Sequence, residues 1–586
     1  MTMQAVYNIA EICAQHGITD VVLSPGSRSA PLTLAFARHP AFKGHVRVVP
    51  DERAAAFIGL GIAQATRRPV VLVCTSGSAG LNYAPAVAEA YFQQIPLLIL
   101  TADRPPEWID QLDGQTIRQR NLYGAHAKGA FEFPVDTSHP DAKWHSARIV
   151  NEAINLAQAA PAGPVQINVP LREPFYPKAN EEIEYEQDVK IIRKHSSSAS
   201  LNITEVAELR QQLQGTNRLL IVAGQNPKDE LLNAAVENLR SIFGATVVGD
   251  TIANIYDSSN SIINGQDIFL AGLNQEQKAF LGPDILITFG QSLISKSLKL
   301  FLRTSAPTQH WHVQLSGEPA DTFRSLSRIV RASPTDFFQA LVNDTADGSL
   351  ARVIKSNFNL AWTSAQERAR ASLQDFFSSK RGRYQEITEV FNEFSAFAST
   401  LISLSKTTAL HLANSMAVRY ANILGIPQGR QIEVFANRGT SGIDGCTSTA
   451  VGAALAQPNR PVVLLTGDVA FFYDRNAFWH NYPTPNLRVV LFNNHGGGIF
   501  RMIDGPRQQP ELDEFFETRQ ALTAENTARD FNLRYFPVSS FAELDAALPV
   551  FFAAESGAAI LEIFTDSKTN AAFFEEYRAA VKAAFA

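Results

Sequence analysis

Cysteine is scarce in this sequence, and long apolar runs are missing from it. The three cysteines, Cys13, Cys74 and Cys446, are widely separated and lack the paired spacings of zinc or redox sites, so we expect a reducing cytoplasm. Apolar runs such as Val70–Cys74 are far shorter than the roughly 18 residues of a membrane-spanning helix, so we expect no membrane insertion. Residues 1–20 also lack the basic start and apolar core of a signal peptide.

Charge of one sign is not concentrated anywhere along the chain. The 51 Lys and Arg residues nearly balance the 57 Asp and Glu residues, for a net charge of -6, and no basic block marks a nucleic-acid surface. We therefore expect no nucleic-acid partner. With 45% hydrophobic and 18% charged residues, the composition is that of a globular protein, so a length of 586 residues implies several separate cores.

Short apolar segments alternate with alanine-rich helical segments, which is typical of parallel sheets covered by helices. We predict an α/β fold of three domains with mainly parallel sheets, covering residues 1–185, 201–345 and 385–586. The serine-rich stretch 186–200 is the predicted linker between the first two domains, and a polar helical stretch at 347–378 precedes the third. The predicted strands are Val21–Leu23, Val70–Cys74, 97–100, 165–169, 219–222, 285–288, Ala409–Leu412, 462–465 and 489–492.

An internal repeat links the first and third domains. The pentapeptide RPVVL occurs at 68–72 and again at 460–464, an offset of 392 residues, and at the same offset the strand 97–100 meets 489–492. This coincidence favours a duplicated domain. Two unrelated βαβ units remain the alternative.

The second copy has polar residues after both of its strands. Gly467 and Asp468 follow one strand, and Asn494 and Gly496 follow the next. Parallel strands end at the same edge of a sheet, where open α/β sheets bind ligands. A carboxylate, a carboxamide oxygen and a loop carbonyl suit Mg²⁺, and Gly467 lets a diphosphate approach the backbone. Each half alone is typical of a turn or a helix cap.

Together the two halves resemble the thiamine diphosphate signature, which begins Gly-Asp-Gly and ends Asn-Asn. Val469 stands at the usual third glycine. Thiamine activation also needs a carboxyl group that shares a proton with the aminopyrimidine ring, and Glu52 in the first copy is the candidate. The alternative is a solvated Asp-Glu-Arg helix start, which the helix dipole favours.

Four arginines lie on or near loops that follow predicted strands: Arg28, Arg104, Arg419 and Arg438. A guanidinium group grips a carboxylate with two parallel hydrogen bonds, so such loops suit a substrate that bears carboxylates. Any one of these arginines is equally compatible with a structural ion pair.

Several motifs are specific in combination: SPGSRSAPLTLA, DERAAA, VVLVCTSGSAG, LILTADRPPE, GQTIRQ, ANRGTSGIDG, GDVAFFYDRNA and FNNHGGGIF. Over nearly the whole chain they resemble the 2-succinyl-5-enolpyruvyl-6-hydroxy-3-cyclohexene-1-carboxylate synthases, a thiamine diphosphate-dependent transferase family of menaquinone biosynthesis. The resemblance implies Mg²⁺, or alternatively Mn²⁺, as the metal. It implies decarboxylation of 2-oxoglutarate and addition of the succinyl carbanion equivalent to isochorismate. It also implies a homodimer or homotetramer with active sites built across subunits.

The resemblance assigns roles residue by residue. The metal ligands are Asp468, Asn494 and Gly496. The cofactor-binding residues are Glu52, Asn414, Ser415, Ile443, Gly467, Asp468, Asn494, Gly496 and Phe500. The 2-oxoglutarate side comprises Ser415, Arg419 and Arg438, and the isochorismate side comprises Ser27, Arg28, Arg104 and Gln115 with Lys296 as an addition. Gly114 stands where some family members carry Asn.

Two other functions remain open at this point. One is a different thiamine diphosphate enzyme that acts on pyruvate, such as an acetolactate synthase, which needs an apolar pocket rather than several arginines. The other is a non-catalytic nucleotide-binding regulator on the same scaffold, which the presence of Glu52, Asp468 and Asn494 disfavours.

Overall fold

The computed structural model describes residues 3–173, 175–177, 182–194, 201–256, 262–343, 356–380, 390–427 and 431–585. These residues form three parallel sheets, each covered by helices, which we call the first, central and third units. The α/β class and the parallel sheets predicted from the sequence are confirmed. The domain boundaries placed at 345 and 385, and the end of the linker at 195–200, lie outside the described residues.

The first unit holds a sheet of order β2-β1-β3-β4-β6-β5, in which every pairing is parallel. Its strands are β1 (Val21–Leu23), β2 (Val46–Val48), β3 (Val70–Cys74), β4 (Leu97–Asp103), β5 (Gly129–Glu132) and β6 (Pro164–Pro170). Its helices are α1 (Gln4–Gln15), α2 (Ala30–Ala37), α3 (Glu52–Thr66), α4 (Ser78–Asn82), α5 (Ala84–Gln93) and α6 (Pro140–Gln158). The central strand β3 is a buried run of β-branched and apolar residues, as expected where helices cover both faces.

The central unit has the strand order β11-β10-β9-β7-β8, again with parallel pairings. Its strands are β7 (Leu219–Ala223), β8 (Thr246–Gly249), β9 (Ile285–Phe289), β10 (Gln309–Val313) and β11 (Arg328–Val330). Its helices are α7 (Ile203–Gln214), α8 (Glu230–Phe243), α9 (Gln266–Gly272), α10 (Gln275–Phe280), α11 (Lys296–Ser305) and α12 (Pro334–Val342).

The polar stretch before the third unit is the long helix α13 (Asn357–Lys380), as the sequence predicts. Trp362 donates a hydrogen bond from Nε1 to the Leu281 carbonyl at 3.1 Å, and Phe376 meets the ring of Phe573 with centroids 5.2 Å apart. The helix therefore joins the core of the central unit to that of the third.

The third unit has the order β13-β12-β14-β15-β17-β16, with parallel pairings. Its strands are β12 (Ala409–Leu412), β13 (Glu433–Phe435), β14 (Val462–Gly467), β15 (Leu487–Asn493), β16 (Arg534–Val538) and β17 (Ala559–Phe564). Its helices are α14 (Glu393–Ser403), α15 (Met416–Leu424), α16 (Cys446–Ala456), α17 (Asp468–Tyr473), α18 (Ile499–Met502), α19 (Glu525–Asp530), α20 (Phe541–Phe552) and α21 (Ser567–Phe585).

The first and third sheets have the same topology, strand for strand, which confirms the duplication. The registers correct one detail of the repeat. Val70 pairs with Leu97 in the first sheet, whereas Val462 pairs with Leu487 in the third, so the second strands correspond at an offset of 390 residues rather than 392. A shift of two residues keeps every side chain on the same face of its strand.

Helices α3 and α16 hold the first and third units together at very short range. A Cβ added at Gly61 would lie 2.0 Å from the Thr449 carbonyl oxygen, and one at Gly452 would lie 2.1 Å from that of Ile58. Only glycine fits at these two positions, so the helix backbones pack directly on each other.

The segment 182–194, assigned by the sequence partly to the linker, packs against the first unit. The backbone amide of Ile192 donates to Asn151 Oδ1 at 2.7 Å, and Asn8 donates from Nδ2 to Glu186 at 2.9 Å. Within the described ranges, no helix is both long and apolar enough to cross a membrane.

Candidate cofactor and substrate site

Asp468 opens α17 directly after β14, at the carboxyl edge of the third sheet. Its side chain is 2% exposed. Oδ1 accepts a hydrogen bond from the Val469 amide at 2.9 Å, and Oδ2 accepts one from Gln520 Nε2 at 2.8 Å. Burial raises the pKa of Asp468 to about 6, against the lowering effects of these hydrogen bonds and of the Gly496 amide. Val469 lies inside a helix, a conformation that needs no glycine, so the departure from the family pattern leaves the turn intact.

Asn494 follows β15 at the same sheet edge. Its Nδ2 donates to Glu393 Oε2 at 2.9 Å, whereas its Oδ1 is buried and has no hydrogen-bond partner among the described residues. A buried carbonyl oxygen without a partner is costly unless a ligand satisfies it. Asn494 Oδ1 and the Asp468 carboxylate therefore offer hard oxygen donors that suit Mg²⁺.

Glycines shape the space around these two side chains. A Cβ at Gly467 would meet nothing within 4 Å, so its backbone faces open space that a diphosphate can approach. Gly496 lies against the Glu517 carbonyl, 2.7 Å from where a Cβ would stand, and its own carbonyl accepts from the Gly498 amide at 3.0 Å. The residues present thus fit a metal and diphosphate group.

Glu393, at the start of α14, is the buried neighbour of this pair. Burial and the nearby Asp468 raise the pKa of Glu393 to about 7, while the hydrogen bond from Asn494 acts to lower it. Nothing in its sequence context marks it as functional, because it precedes β12 and belongs to no motif at a strand end.

A loop after β13 carries Arg438, and Asn414 organises it. Asn414 Nδ2 donates to the carbonyls of Asn437 at 2.7 Å and Gly442 at 2.6 Å, and its Oδ1 accepts from Arg438 Nη1 at 2.8 Å. The Arg438 Nε is buried without a partner within the described chain. Burial lowers the pKa of Arg438. This guanidinium therefore keeps a free donor for a ligand.

All three units hold this loop. Glu89 of α5 accepts hydrogen bonds from the Gly439 amide at 2.8 Å and from the Thr440 amide at 2.7 Å. From the central unit, Ser292 Oγ donates to the Arg438 carbonyl at 3.1 Å. Gly439 packs so closely on α5 that a Cβ there would lie 2.7 Å from the Glu89 carbonyl oxygen. Glu89 was missed in the sequence because it sits within an ordinary amphipathic helix.

Ser415 and Arg419 lie beside Arg438. Ser415 precedes α15 with φ 71°, a left-handed conformation that is strained for serine, and its carbonyl accepts a hydrogen bond from Arg419 Nη1. Burial, and to a lesser extent Arg438, lowers the pKa of Arg419 although its side chain is solvent-accessible. Arg419 is therefore accessible to solvent beside Arg438.

Three further residues predicted from the sequence, Ile443, Phe500 and Lys296, are partly or fully exposed. Ile443 is 37% exposed on the Arg438 loop, and Phe500 is half-buried with its ring 5.9 Å from that of Phe516. Lys296 is exposed at the start of α11. One turn further on, Lys299 is half-buried, and burial together with Arg438 lowers its pKa. Lys299 thus lies close enough to Arg438 to interact with it electrostatically.

Glu52 begins α3 behind its N-cap Asp51 and accepts a hydrogen bond from Asn82 at 3.2 Å. Its two neighbours turn to the third unit instead. Asp51 accepts from Asn476 at 2.8 Å, and the Arg53 guanidinium stacks on Tyr473 at 4.4 Å. Among the described residues, no hydrogen bond or ion pair joins Glu52 to Asp468 or Asn494.

The first-unit arginines come together at the ends of β1 and β4. Arg28 is buried, donates to the Leu171 carbonyl at 2.9 Å and lies over Phe175 at 4.8 Å. Burial and then the neighbouring Arg104 lower the pKa of Arg28. Arg104 donates from Nε to the Gly114 carbonyl at 2.9 Å and pairs with Asp113 at 2.7 Å. The backbone of residue 114 is thus the contact to Arg104, whichever side chain stands there.

Ser27 and Gln115 are exposed near these arginines, and Gln115 has φ 53°. The buried glutamine of the same segment is Gln119, whose Oε1 accepts from the Gly77 amide at 2.8 Å while Nε2 donates to the Ala102 carbonyl at 3.0 Å. Gln119 ties the loops after β3 and β4 together, which the sequence motif did not reveal.

Family models match all three units. They are the thiamine pyrophosphate enzyme N-terminal TPP binding domain at residues 3–124, the middle domain of thiamine pyrophosphate at 185–399, and the C-terminal TPP binding domain at 419–563. A curated 2-succinyl-5-enolpyruvyl-6-hydroxy-3-cyclohexene-1-carboxylate synthase from Cytophaga hutchinsonii is 45% identical over 583 residues, 100% of both chains. The chain belongs to this thiamine diphosphate enzyme family. The family's enzyme from Flavobacterium johnsoniae is 37% identical over 97% of both chains.

A solved structure extends the likeness of fold beyond the family. The benzoylformate decarboxylase of Polynucleobacter necessarius matches with a TM-score of 0.70 over 96% of this chain and 98% of that one, at 16% identity. That identity supports a shared three-unit architecture and carries no information on substrate.

Proposed function

We propose that this protein is a 2-succinyl-5-enolpyruvyl-6-hydroxy-3-cyclohexene-1-carboxylate synthase that joins 2-oxoglutarate to isochorismate with release of CO₂, in menaquinone biosynthesis. The observation that carries the proposal is the presence of two separate arginine groups, Arg419 with Arg438 and Arg28 with Arg104, on different units. Two dianionic substrates require two such groups, whereas an enzyme of pyruvate needs an apolar pocket.

Asp468, Asn494 and the Gly496 carbonyl would hold Mg²⁺, or Mn²⁺ in its place, and Gly467 would face the diphosphate. When bound, thiamine diphosphate supplies a nucleophilic carbon on which a 2-oxo acid loses CO₂. Glu52 would share a proton with the aminopyrimidine ring, and Ile443 would press against the cofactor from the Arg438 loop.

The arginines would orient the two substrates. Arg438 Nε has no partner among the described residues and Arg419 is solvent-accessible beside it, so with Ser415 they would bind the carboxylate of 2-oxoglutarate. Arg28 and Arg104, with Ser27 and Gln115, would receive isochorismate. Lys296 stays a candidate for the same role.

We propose further that each active site is built across two subunits of a homodimer or homotetramer. Glu52 makes its hydrogen bond inside its own unit and none with the metal-site residues of the same described chain, so a second chain would bring the two halves together. A monomer would then be inactive. A cytoplasmic location fits the three free, buried thiols of Cys13, Cys74 and Cys446.

The test is turnover of defined substrates by the purified chain with thiamine diphosphate and Mg²⁺. Release of CO₂ with consumption of isochorismate is expected only when both 2-oxoglutarate and isochorismate are present. Turnover of pyruvate alone would overturn the substrate assignment. Calorimetric titration with thiamine diphosphate checks the cofactor site separately, and binding that is indifferent to Mg²⁺ would contradict the metal site.

A further inference from the structure

Glu393 makes contacts that determine how Asn494 is oriented. Its Oε2 accepts hydrogen bonds from Asn494 Nδ2 at 2.9 Å and from Asn570 Nδ2 at 3.1 Å. Its own backbone amide donates to Asn570 Oδ1 at 2.9 Å. Glu393 is 4% exposed at the start of α14, and Asn570 lies in the first turns of α21. Two helices therefore hold the carboxylate in place.

A carboxamide has a donor end and an acceptor end, and which end faces a cation decides whether it can bind one. Glu393 Oε2 accepts hydrogen bonds from the NH₂ groups of both Asn494 and Asn570, so it faces the NH₂ end of Asn494. The oxygen end must then point the other way, and this Oδ1 is the buried atom that lacks a partner within the described residues. With the amide turned around, two oxygen atoms would face each other and the NH₂ group would face the cation.

We propose that Glu393 is a positioning residue for the divalent cation: it fixes the Asn494 amide with Oδ1 turned to the metal. This inference rests on the metal site of the proposed function and deepens it. Groups that hydrogen-bond to the side of a ligand facing away from the metal set the ligand's orientation and basicity. Their loss lowers metal affinity even though they do not contact the ion. Glu393 also brings a second carboxyl group near Asp468.

The test is the affinity of the full chain for Mn²⁺, measured by electron paramagnetic resonance with thiamine diphosphate present. Glu393→Gln keeps the size of the side chain but no longer dictates the amide orientation, so we expect Mn²⁺ affinity about 10- to 100-fold weaker than in the unchanged protein. Turnover should return towards the normal kcat at saturating Mg²⁺, because the residue acts through metal occupancy. A purely structural residue would lower the melting temperature without this split.

Glu11→Gln is the matched control. Glu11 is also a buried glutamate on a helix, accepting from His39 at 2.8 Å and Gln15 at 2.7 Å, but it lies on α1 of the first unit. We expect its Mn²⁺ affinity to be unchanged. If Glu393→Gln does not fold, Glu393→Asp serves instead, because its shorter carboxylate retracts from Asn494 and should weaken Mn²⁺ binding in the same direction.

Unchanged Mn²⁺ affinity in a folded Glu393 variant would overturn the inference. Failure of the unchanged protein to bind Mn²⁺ with thiamine diphosphate would instead contradict the metal site of the proposed function. The two failures are therefore distinguishable.

Discussion

The first and third units share one topology but differ at the residues that end their strands. At the offset of 392 residues that aligns β3 with β14, Ser76 corresponds to Asp468. At the offset of 390 that aligns β4 with β15, Arg104 corresponds to Asn494. A neutral hydroxyl replaces the carboxylate, and a cation replaces the amide oxygen. The same sheet edge is thus suited to a metal ion in one copy and to an anion in the other.

The two sheet edges can also be compared by the hydrogen bonds of their polar side chains. In the first unit, Asp103 at the end of β4 has both oxygens paired, with the Arg104 amide at 2.7 Å and Asn168 Nδ2 at 2.8 Å. Its counterpart in the third unit, Asn493, is paired as well, since its Oδ1 accepts from the His495 amide at 3.0 Å. Each edge also has a buried oxygen without a partner among the described residues, Ser76 Oγ in the first unit and Asn494 Oδ1 in the third. The two copies thus share one scaffold and differ in the residue types at their strand ends.

Removal of the carboxyl group proposed for cofactor activation, Glu52 of the first copy, should have the largest effect. Glu52→Gln is expected to keep thiamine diphosphate affinity and to lose about 10²- to 10⁴-fold in turnover, the range that a positioned proton-transfer group contributes. Single-turnover kinetics with 2-oxoglutarate, together with cofactor titration, measure the two quantities. Near-normal turnover would mean that the first copy has no part in activation.

Replacing the proposed metal ligand Asp468 with its counterpart residue from the first unit tests the difference between the copies directly. Asp468→Ser places the first unit's hydroxyl in the third, and we expect affinity for Mg²⁺ with thiamine diphosphate to fall by at least about a hundredfold. Calorimetry measures it. Ser76→Ala in the first unit is the control and should leave Mg²⁺ affinity unchanged, whereas an equal loss in both variants would refute the division of tasks.

Loss of the Glu89 contact between the first and third units should have a smaller effect on activity than the two substitutions above. In Glu89→Gln, the amides of Gly439 and Thr440 compete for the remaining acceptor, which costs about 1–3 kcal/mol and displaces the loop of Arg438. We expect the KM for 2-oxoglutarate to rise by about tenfold, with the KM for isochorismate unchanged. Steady-state kinetics with each substrate varied in turn separate these outcomes, and equal rises in both constants would argue for general disruption.

The smallest effect concerns stability against acid. His411 in β12 pairs with Leu464 as Val22 in β1 pairs with Leu72, so a buried histidine in the third unit corresponds to a valine in the first. Burial lowers the pKa of His411 to about 3 from 6.5, and its Nε2 has no partner among the described residues. The unfolded chain therefore binds an extra proton below pH 6.5, so stability falls as pH drops from 6.5 towards 3.

His411→Val should make this loss shallower by about 1–3 kcal/mol between neutral pH and pH 4. Urea unfolding across that pH range gives the free energies. If the free energy of unfolding falls equally with pH in the variant and in the unchanged protein, His411 is not the cause of the acid sensitivity.

The strands that the sequence predicted and those it missed differ in position. All nine predicted strands are present, because each is a buried and mostly apolar segment, such as β3 or β9. The missed strands include all six sheet edges: β2, β5, β8, β11, β13 and β16. An edge strand has a neighbour on one side only and is often partly exposed, as the pattern of β5 shows, so its sequence lacks a continuous apolar signal.

The sequence by itself determined the duplicated α/β scaffold and the residues that end its inner strands. Asp468 and Asn494 are legible in it as candidate metal ligands because parallel strands must end at one edge and metal chemistry restricts the residue types there. Glu52 follows an edge strand, and it was predicted from the carboxyl group that thiamine activation needs. Only the tertiary structure determined which buried side chains hold these candidate site residues in position. Glu393 lies 101 residues from Asn494, and Glu89 lies 350 residues from Gly439. Such contacts depend on how helices of separate units pack, so no local pattern along the chain encodes them.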